Sequence, residues 1–447
     1  MKAPAGTSFL SSLLSSSPLL LAMFYQSAVI GVNALGIWNL YLLKREHRSF
    51  QKATLPPPFK DAISQEEFEQ GASYGRDSTA FKLVDDAFDL LMSNAELFYK
   101  LPAKLYKLTS KLFNVALGSF SHSYLFSVCS DACSTLVKLP FSYYDTFVVQ
   151  QKHGYNRITK RDFFLDALKY FLLRAAFLHP AQTYLIQFVV RRFGRSFPFA
   201  FFACTSCLLF LFAHVYPTLI MPLFNKFTPL NQDTLLYAKI QQLASKVHYP
   251  LQSVLIMDGS RRSSHGNAFL YGFGSNKRIV LFDTLLEQME GKEDCIVSVL
   301  CHELGHWYYG HVTWMLVPTL FQLCGICFGA RTVIFDPNMY GEFGFDDQNP
   351  LVGLDLFAQV FLNPICTLTG YLLCYVCRHF EFQADTFAVE NDFGEELRHA
   401  LVLVSKESKK ILNPDPLYSA LSHTHPPIVE RIAAIDAQML KRTKQAT

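Results

Sequence analysis

Long stretches without charged residues are the feature that most restricts what this chain can fold into. No Asp, Glu, Lys or Arg occurs between Ala3 and Leu43. Residues 18–43 are long enough to cross the hydrocarbon core of a bilayer, which takes about 20 residues. A cleaved signal peptide has a shorter apolar core of about 7–15 residues, so we expect a retained membrane anchor. The basic run at residues 44–48 predicts that this anchor ends on the cytosolic side.

The composition of the chain agrees with a membrane protein. Of its 447 residues, 50% are hydrophobic and only 17% are charged, against about 25% charged residues in a typical globular domain. The 40 basic and 37 acidic residues are too nearly balanced to predict a nucleic-acid partner. The eleven cysteines are an odd number and lie scattered through apolar runs, so they predict no disulfide framework and suggest a reducing compartment.

Further apolar segments follow along the chain. The segments that we expect to cross a membrane are residues 18–43, 82–109, 112–138, 163–190, 197–224, 312–334 and 354–377. The second contains four acidic residues, so it is either a transmembrane helix with a wet face or an amphipathic surface helix. Residues 49–80 are polar and are predicted to form a loop.

These segments divide the chain into four predicted regions. They are an N-terminal membrane region with five transmembrane helices (1–224), a soluble part (225–311), a transmembrane hairpin (312–378) and a C-terminal part (379–447). In the soluble part, residue patterns predict strands at Ser253–Met257, Ala268–Phe273 and Arg278–Phe282, and helices at Thr234–His248 and Cys295–His311. The predicted fold class is therefore a mainly helical, polytopic membrane protein with a small β-hairpin or sheet.

The last of these helices contains a motif with metal-binding character, because residues 302–306 read His-Glu-x-x-His. Residues four apart on a helix share a face, so His302 and His306 can present two imidazoles to one metal ion. Glu303 projects beside them, where its carboxylate can take a proton from a water held by the metal. The motif therefore predicts a zinc peptidase, although a pattern this short also arises by chance.

A catalytic zinc needs a third protein ligand, which must come from elsewhere in the chain. The extended motif His-Glu-x-x-His-x-x-Gly-x-x-His is absent, because Tyr309 stands where its glycine belongs and Val312 where its third histidine belongs. Glu381 is the best candidate, since two consecutive membrane crossings return the chain to the level of His306 just before it. Asp385 lies one helical turn further and can accept a hydrogen bond from a ligating histidine. The alternative is a solvated acidic helix face.

Several further motifs occur in the same order along nearly the whole chain. They are Leu139-Pro140-Phe141, Lys152-His153-Gly154, Arg262-Ser263-Ser264-His265-Gly266-Asn267-Ala268, Tyr271-Gly272-Phe273, Asn276-Lys277-Arg278-Ile279-Val280-Leu281-Phe282-Asp283, Phe380–Asp385, Asp415-Pro416-Leu417-Tyr418-Ser419, His425-Pro426-Pro427 and Glu430-Arg431. Together with residues 302–306, they resemble the CaaX prenyl protease 1 family of integral-membrane zinc endopeptidases.

The resemblance implies a fold and a function. The fold would be seven transmembrane helices forming an α-barrel around a water-filled chamber, with a gluzincin-like zinc metalloprotease domain. One zinc ion per chain would serve to cleave the last three residues from prenylated CaaX proteins or peptides. The resemblance leaves open whether the enzyme also makes a further cleavage upstream. We expect a monomer in the lipid bilayer of the endoplasmic reticulum, and also of the inner nuclear membrane, with its zinc site accessible from the cytosol.

The resemblance also directs attention to residues outside the metal set. Residues 267–273 alternate like an edge strand, so a substrate can add to it by main-chain hydrogen bonds, with Asn267, Ala268 and Phe269 as the binding residues. The alternative is an ordinary surface hairpin. His425 and Arg431 can stabilise the oxyanion opposite the zinc. Arg431 can instead merely pair with a carboxylate.

Two other classes of function compete with this prediction. A site-2-type intramembrane metalloprotease takes its third ligand from an Asn-Pro-Asp-Gly motif, which Asn413-Pro414-Asp415-Pro416 approaches except that Pro416 replaces the glycine. The charged segment before Asn413 is also unlike a membrane helix. A catalytically silent membrane scaffold would lack a ligand or the base, and none of the four residues His302, Glu303, His306 and Glu381 is missing.

Overall fold

The computed structural model describes residues 23–51, 54–60, 63–156, 158–216, 221–261, 266–274, 276–408 and 414–446. These residues form two compact units, and each unit is assembled from three separate segments of the chain. The first unit contains residues 23–44, Asp77–Cys204 and Gln322–Leu368, and the second contains Arg45–Arg76, Thr205–Phe321 and residues 369–446. The predicted regions follow the order of the chain, whereas the two units alternate along it.

Most of the described chain is helical. The α-helices are α1 (Met23–Gln51), α2 (Gln65–Tyr99), α3 (Leu101–Leu112), α4 (Phe120–Tyr144), α5 (Lys160–Leu173), α6 (His179–Phe193), α7 (Phe197–Val215), α8 (Met221–Phe224), α9 (Leu235–Lys246), α10 (Asp283–Gln288), α11 (Glu293–Tyr308), α12 (His311–Ile334), α13 (Pro337–Glu342), α14 (Pro350–Phe357), α15 (Asn363–Glu390), α16 (Gly394–Ser408), α17 (Pro416–Ser422) and α18 (Ile428–Ala446). Short π-helical turns at Asp145–Gln150, Arg174–Leu178 and Ala358–Leu362 continue α4, join α5 to α6 and join α14 to α15.

Four helical stretches in the described part of the chain are long and apolar enough to cross a membrane. They are Met23–Gln51, Lys160–Leu211, His311–Ile334 and Pro350–Glu390. The second is 52 residues long, enough for two crossings at about 1.5 Å per residue, and it turns at Gly194, which has a φ of 51°. These stretches overlap five of the predicted segments. The other two, and the count of seven, stay predictions, and residues 18–22 lie outside the described residues.

The predicted loop at residues 49–80 is wrong over most of its length. Helix α1 continues to Gln51, and α2 already begins at Gln65. The start of α2 is a capping box, in which the Ser64 hydroxyl accepts from the Glu67 amide at 3.1 Å and the Glu67 carboxylate accepts from the Ser64 amide at 2.9 Å. Because this Ser-x-x-Glu pattern satisfies backbone donors that would otherwise be unpaired, a polar sequence can begin a helix here.

The predicted helix at 82–109 is divided in two, and the start of the next helix moves. Lys100 has a left-handed backbone with a φ of 49°, so α2 ends at Tyr99 and α3 begins at Leu101. Asn114 and Gly118 also have positive φ values, of 50° and 70°. The chain therefore turns between α3 and α4, which begins at Phe120 instead of the predicted residue 112.

The second unit contains a four-stranded sheet. Its strands are β1 (Phe227–Pro229), β2 (Leu251–Met257), β3 (Ala268–Phe273) and β4 (Asn276–Phe282), in the spatial order β1-β2-β4-β3. Strand β4 pairs in parallel with β2 and antiparallel with β3. The consecutive residues Ile279, Val280 and Leu281 are fully buried, as expected for a strand covered on both faces. Strand β1, which has three residues, is absent from the sequence prediction.

The main apolar core of the second unit packs beneath the helix that carries the His-Glu-x-x-His motif. Leu300, Cys301 and Leu304 of α11 are fully buried in this core. The helix ends at Tyr308 and not at the predicted residue 311, because Gly310, with a φ of 66°, separates it from α12. Helix α15 continues past the predicted end of the last apolar segment at residue 377 to Glu390, so one helix carries both the apolar span and Glu381.

Candidate metal centre

Helices α11 and α15 approach each other closely at two small residues. A Cβ atom built on Gly305 would lie 3.1 Å from the Cα of Ala384, so a larger side chain would push the helices apart. His302 lies three residues before Gly305 and His306 lies one residue after it. In the same way, Glu381 lies three residues before Ala384 and Asp385 lies one residue after it. These four are the predicted ligands and their orienting carboxylate. The close approach therefore brings four predicted site residues together.

Three of these side chains converge on one point. The Nε2 atoms of His302 and His306 lie 3.1 Å apart. The carboxylate of Glu381 places Oε2 3.6 Å from His302 Nε2 and Oε1 3.3 Å from His306 Nε2. His302 and Glu381 are buried, and His306 is partly exposed.

The donor set fits a zinc ion. Nitrogen and oxygen ligands held tetrahedrally at about 2.0–2.1 Å from zinc lie about 3.3 Å from one another, and the three separations here bracket that value. Oε2 of Glu381 is buried and receives no hydrogen bond from the residues that the structure describes. A buried carboxylate oxygen without a hydrogen bond costs free energy unless cations compensate it, and here Arg431 Nη1 lies 3.3 Å away. The residues thus form a site with the chemistry of a metal ligand set.

Asp385 lies behind this set, where it contacts a histidine and an arginine. The Nδ1–H of His302 donates to Asp385 Oδ1 at 2.9 Å. Arg431 donates to both oxygens of the same carboxylate, from Nε at 2.9 Å and from Nη2 at 2.6 Å. The hydrogen bond from Nδ1 leaves the lone pair of His302 on Nε2, which faces the convergence point. Asp385 therefore lies where the sequence analysis expects an orienting carboxylate.

Glu303 is half-buried beside the two histidines. Burial raises the pKa of its carboxyl group, while the nearby His302 and His306 act in the opposite direction and only in part offset it. A carboxyl group whose pKa is raised toward neutrality is suited to accept a proton and to release it again at physiological pH.

The structure places Arg431 and His425 on different sides of Glu381. Arg431 is buried, and its Nη1 lies 3.3 Å from Glu381 Oε2. Burial would lower the pKa of this guanidinium, but the carboxylates of Asp385 and Glu381 outweigh it and raise the pKa. The exposed His425 places Nδ1 3.1 Å from Glu381 Oε1. Both side chains therefore reach the edge of the metal set, and Arg431 also forms the carboxylate pair that is its alternative role.

Strand β3 is at the edge of the sheet, as the pattern of residues 267–273 predicts. The Asn267 carbonyl accepts from the Phe282 amide at 3.0 Å, so Asn267 uses its main chain toward β4. Antiparallel alternation then directs the main-chain groups of Ala268 to the free edge. The Asn267 side chain accepts the Ala268 N–H there at 2.8 Å. Phe269 is partly buried, and its ring packs edge-on against Phe282. Residues 262–265 of this motif lie outside the described residues.

Two residues behind the metal set were not predicted from the sequence, namely His311, which contacts His306, and Gln383, which contacts His311. His311 Nδ1 lies 2.8 Å from His306 Nδ1, and His311 Nε2 lies 3.1 Å from Gln383 Oε1. The Gly-His pair that follows the motif could have signalled this contact, because a glycine ending a helix turns the next residue back toward it.

Comparisons with known proteins agree with this site. Residues 46–226 match a family model described as CAAX prenyl protease N-terminal, five membrane helices, and residues 230–439 match Peptidase family M48. A relative from Arabidopsis thaliana named CAAX prenyl protease 1 homolog is 38% identical over 94% of this chain and 99% of its own length. The chain belongs to the CAAX prenyl protease 1 family.

More distant members and a solved structure extend this result. The CAAX prenyl protease 1 of Saccharomyces cerevisiae is 31% identical over 89% of this chain and 91% of its own length. The Homo sapiens homolog is 30% identical over 89% and 92% of the two chains. The crystal structure of S. mikatae Ste24p superimposes with a TM-score of 0.79 at 30% identity, and the match covers 92% of this chain and 99% of that chain.

Membership of the CAAX prenyl protease 1 family confirms three of the predictions. The chain is a metalloendopeptidase, its fold is mainly helical with a small mixed sheet, and it is a multi-pass membrane protein. The site-2-type alternative receives no support from the structure. Asp415 caps α17 by accepting from the amides of Leu417 and Tyr418 and pairs with Arg45 at 3.0 Å, while Asn413 lies outside the described residues.

Proposed function

We propose that this chain is a zinc-dependent membrane endopeptidase that removes the C-terminal tripeptide from prenylated CaaX proteins. The observation that carries the proposal is the convergence of His302, His306 and Glu381 on one point beside Glu303. The names of the relatives, which are CAAX prenyl proteases, support the substrate class. Whether a second, upstream cleavage follows is a separate question for the same site.

In this proposal the three converging side chains hold the metal and Glu303 moves the proton. Zinc, when bound, lowers the pKa of a ligated water to about 7 and polarises the scissile carbonyl. Glu303 accepts the proton of the attacking water and delivers it to the leaving amine. Its half-buried carboxyl group has the raised pKa that this two-way transfer needs. Asp385 keeps His302 in the tautomer whose Nε2 is free to ligate.

Arg431 and His425 are assigned to the charge that develops on the substrate. Both lie within 3.3 Å of Glu381, one at each carboxylate oxygen. A cation fixed at the rim of a metal set can stabilise an oxyanion without reorganising during the reaction. Arg431 is also held by Asp385, so its position is set before the substrate arrives.

Strand β3 is assigned to the extended substrate. The main-chain groups of the buried Ala268 are directed to the outer edge of the sheet, where a peptide can add as a further strand once the Asn267 side chain moves aside. The Asn267 amide group lies at this edge and occupies the Ala268 N–H. A substrate carbonyl can replace that side chain, and Asn267 is then free to bind the neighbouring peptide amide. Phe269 follows as the next residue of the strand.

The same proposal places the enzyme as a monomer in the membrane of the endoplasmic reticulum, and also in the inner nuclear membrane. In this proposal the zinc site is accessible from the cytosol. The basic residues 44–48 at the end of α1 support this orientation, because cytosolic ends of membrane segments are enriched in Lys and Arg.

The test combines metal analysis with cleavage of a defined peptide. Purified full-length protein should contain one zinc per chain and should release the last three residues of a farnesylated CaaX peptide. A chelator should remove both the zinc and the activity, and added zinc should restore them. The same peptide without the farnesyl group is the matched control and should be cleaved at least about 10-fold less efficiently, because the lost apolar contact is worth more than about 1.4 kcal/mol.

The variant Glu303→Gln separates the chemistry from metal binding. Glutamine keeps the shape of the side chain but cannot accept a proton, so zinc content should stay near normal while turnover falls about 100-fold or more. Native turnover by this variant would contradict the assigned base. Cleavage that survives complete removal of the metal would contradict the zinc-dependent function as a whole.

A further inference from the structure

The two ligand histidines contact different groups behind the metal set. His302 donates to the carboxylate of Asp385. His306 instead places Nδ1 2.8 Å from Nδ1 of His311. His311 is buried and its ring stacks on Phe380 at a centroid distance of 4.0 Å and an angle of 6°. A second imidazole ring therefore takes, beside His306, the position that a carboxylate takes beside His302.

The chain of contacts defines which nitrogen carries each proton. Nε2 of His306 faces His302 and Glu381, so its lone pair is directed at the metal position and its proton is on Nδ1. Nδ1 of His306 then donates, and Nδ1 of His311 must accept. The proton of His311 is consequently on Nε2, which donates to Gln383 Oε1 at 3.1 Å. All three groups are satisfied in this one arrangement.

The backbone and one neighbouring helix hold His311 in this position. Gly310 has a left-handed backbone with a φ of 66°, so the chain turns between α11 and α12, and the first residue of α12 contacts the last turn of α11. Helix α15 supplies both the ring under His311 and the acceptor at its far nitrogen, at positions 380 and 383. These positions flank Glu381, so one helical turn provides a ligand and the support of another ligand.

We propose that His311, held by Gln383, is a positioning residue that fixes the tautomer and the ring orientation of His306 as a metal ligand. The inference rests on the proposed function, because it concerns the same metal set. Partners that orient ligating histidines in this way change metal affinity by about 10–100-fold when they are removed. His311 itself is not assigned as a ligand, since both of its nitrogens are engaged by His306 and Gln383.

The experiment measures zinc affinity by competition with a chelator of known affinity, using full-length protein without substrate. His311→Phe keeps a ring on Phe380 but has no acceptor for His306, and we expect zinc to bind about 10–100-fold more weakly. His311→Asn offers a carboxamide oxygen close to the position of Nδ1. It should therefore bind zinc more tightly than His311→Phe, with at least half of the loss in the logarithm of the zinc affinity recovered. The melting temperature of the metal-free protein is measured for both variants.

A second pair of variants tests the same chain of contacts without changing His311. Gln383→Met has the length of glutamine but no acceptor and should weaken zinc binding about 3–10-fold, a smaller effect because it acts through His311. Gln383→Glu keeps an acceptor at the same place and should bind zinc at least as tightly as the native protein. This pair keeps the test decisive if either change at position 311 prevents folding.

Two results would overturn the inference. One is native zinc affinity in His311→Phe or, if neither variant at position 311 folds, in Gln383→Met. The other is equal weakening by His311→Phe and His311→Asn, or by both Gln383 variants, at unchanged melting temperatures of the metal-free proteins. Failure of the proposed function is distinguishable, because the native protein itself would then bind no stoichiometric zinc.

Discussion

The two units of the molecule each bury a cluster of polar side chains, and the two clusters differ in their chemistry. In the first unit, Asn349 donates to the Tyr106 hydroxyl at 3.0 Å and to the Ser123 hydroxyl at 2.7 Å, and its carbonyl oxygen caps α14. His122 is fully buried and contacts the Tyr106 carbonyl at 2.8 Å. In the second unit, buried or partly buried charged groups converge on one point at Glu381.

The difference shows what separates a structural polar cluster from a site. Both clusters contain a buried histidine, so burial and polarity alone do not identify function. The groups around Asn349 use their donors and acceptors on one another, which stabilises the packing of their helices. The groups around Glu381 leave one buried carboxylate oxygen without a hydrogen bond among the described residues. That oxygen lies 3.6 Å from His302 Nε2 and 3.3 Å from Arg431 Nη1, so it can act as a metal ligand beside the histidine.

The largest expected effect comes from replacing one histidine of each cluster by alanine, in two separate variants. His302→Ala should reduce zinc from one per chain to a trace and abolish peptide cleavage, because two ligands remain where three are needed. His122→Ala should keep zinc and turnover per folded molecule, while unfolding becomes easier by about 1–3 kcal/mol through the unpaired partners that remain. Zinc analysis and thermal unfolding of both proteins test the comparison. Full zinc content in His302→Ala would refute the assignment of His302 as a ligand.

Arg431→Ala decides whether the guanidinium acts on the substrate or only supports the fold. If it stabilises the oxyanion, kcat per bound zinc should fall roughly 10–1000-fold. Its loss also removes the guanidinium that pairs with the buried carboxylates of Asp385 and Glu381, and breaking a buried ion pair destabilises a protein by about 3–5 kcal/mol. Thermal stability and kcat are therefore measured on the same preparation. A destabilised protein whose folded fraction has native kcat would restrict Arg431 to the structural pair.

Gly305→Ala tests whether the approach of α11 and α15 sets the metal geometry. The added methyl would lie 3.1 Å from the Ala384 backbone and from Phe387, so we expect a loss of about 1–3 kcal/mol of stability and weaker zinc binding. Gly370→Ala on α15 is the matched control, because nothing lies within 4 Å of its added methyl. Thermal unfolding and chelator competition should leave the control at or above native values. Equal behaviour of the two variants would argue against a role for the close approach.

The smallest expected effect is at the edge strand. An interaction present equally in the bound substrate and in the transition state changes KM and leaves kcat unaltered. Asn267→Ala should therefore raise KM for a farnesylated peptide about 3–10-fold, as for the loss of one hydrogen bond, with native kcat and zinc content. A change in kcat alone would contradict a role of Asn267 in substrate binding and would indicate a role in the chemical step.

The elements that the sequence predicted well depend on local patterns. Strand β3 begins and ends at the predicted residues, and α12 matches its apolar segment to within one residue. The errors arose where a short polar signal decided a boundary. The capping box at Ser64 starts α2 inside a stretch that hydropathy assigned to a loop, and the left-handed residue Lys100 divides a segment that hydropathy treated as one helix.

Within the candidate site, the sequence by itself determined the chemistry of one helix. His302, Glu303 and His306 share a face because of the period of the α-helix, whatever the rest of the chain does. It also singled out Glu381, through the two apolar segments that return the chain to the same level. The sequence also predicted Asp385 behind one of the histidines. Only the tertiary structure decided that this histidine is His302 and that His311 lies behind His306. A hydrogen-bond partner depends on separations of a few ångströms between helices, and the close approach of Gly305 and Ala384 sets those separations through packing that no local pattern encodes.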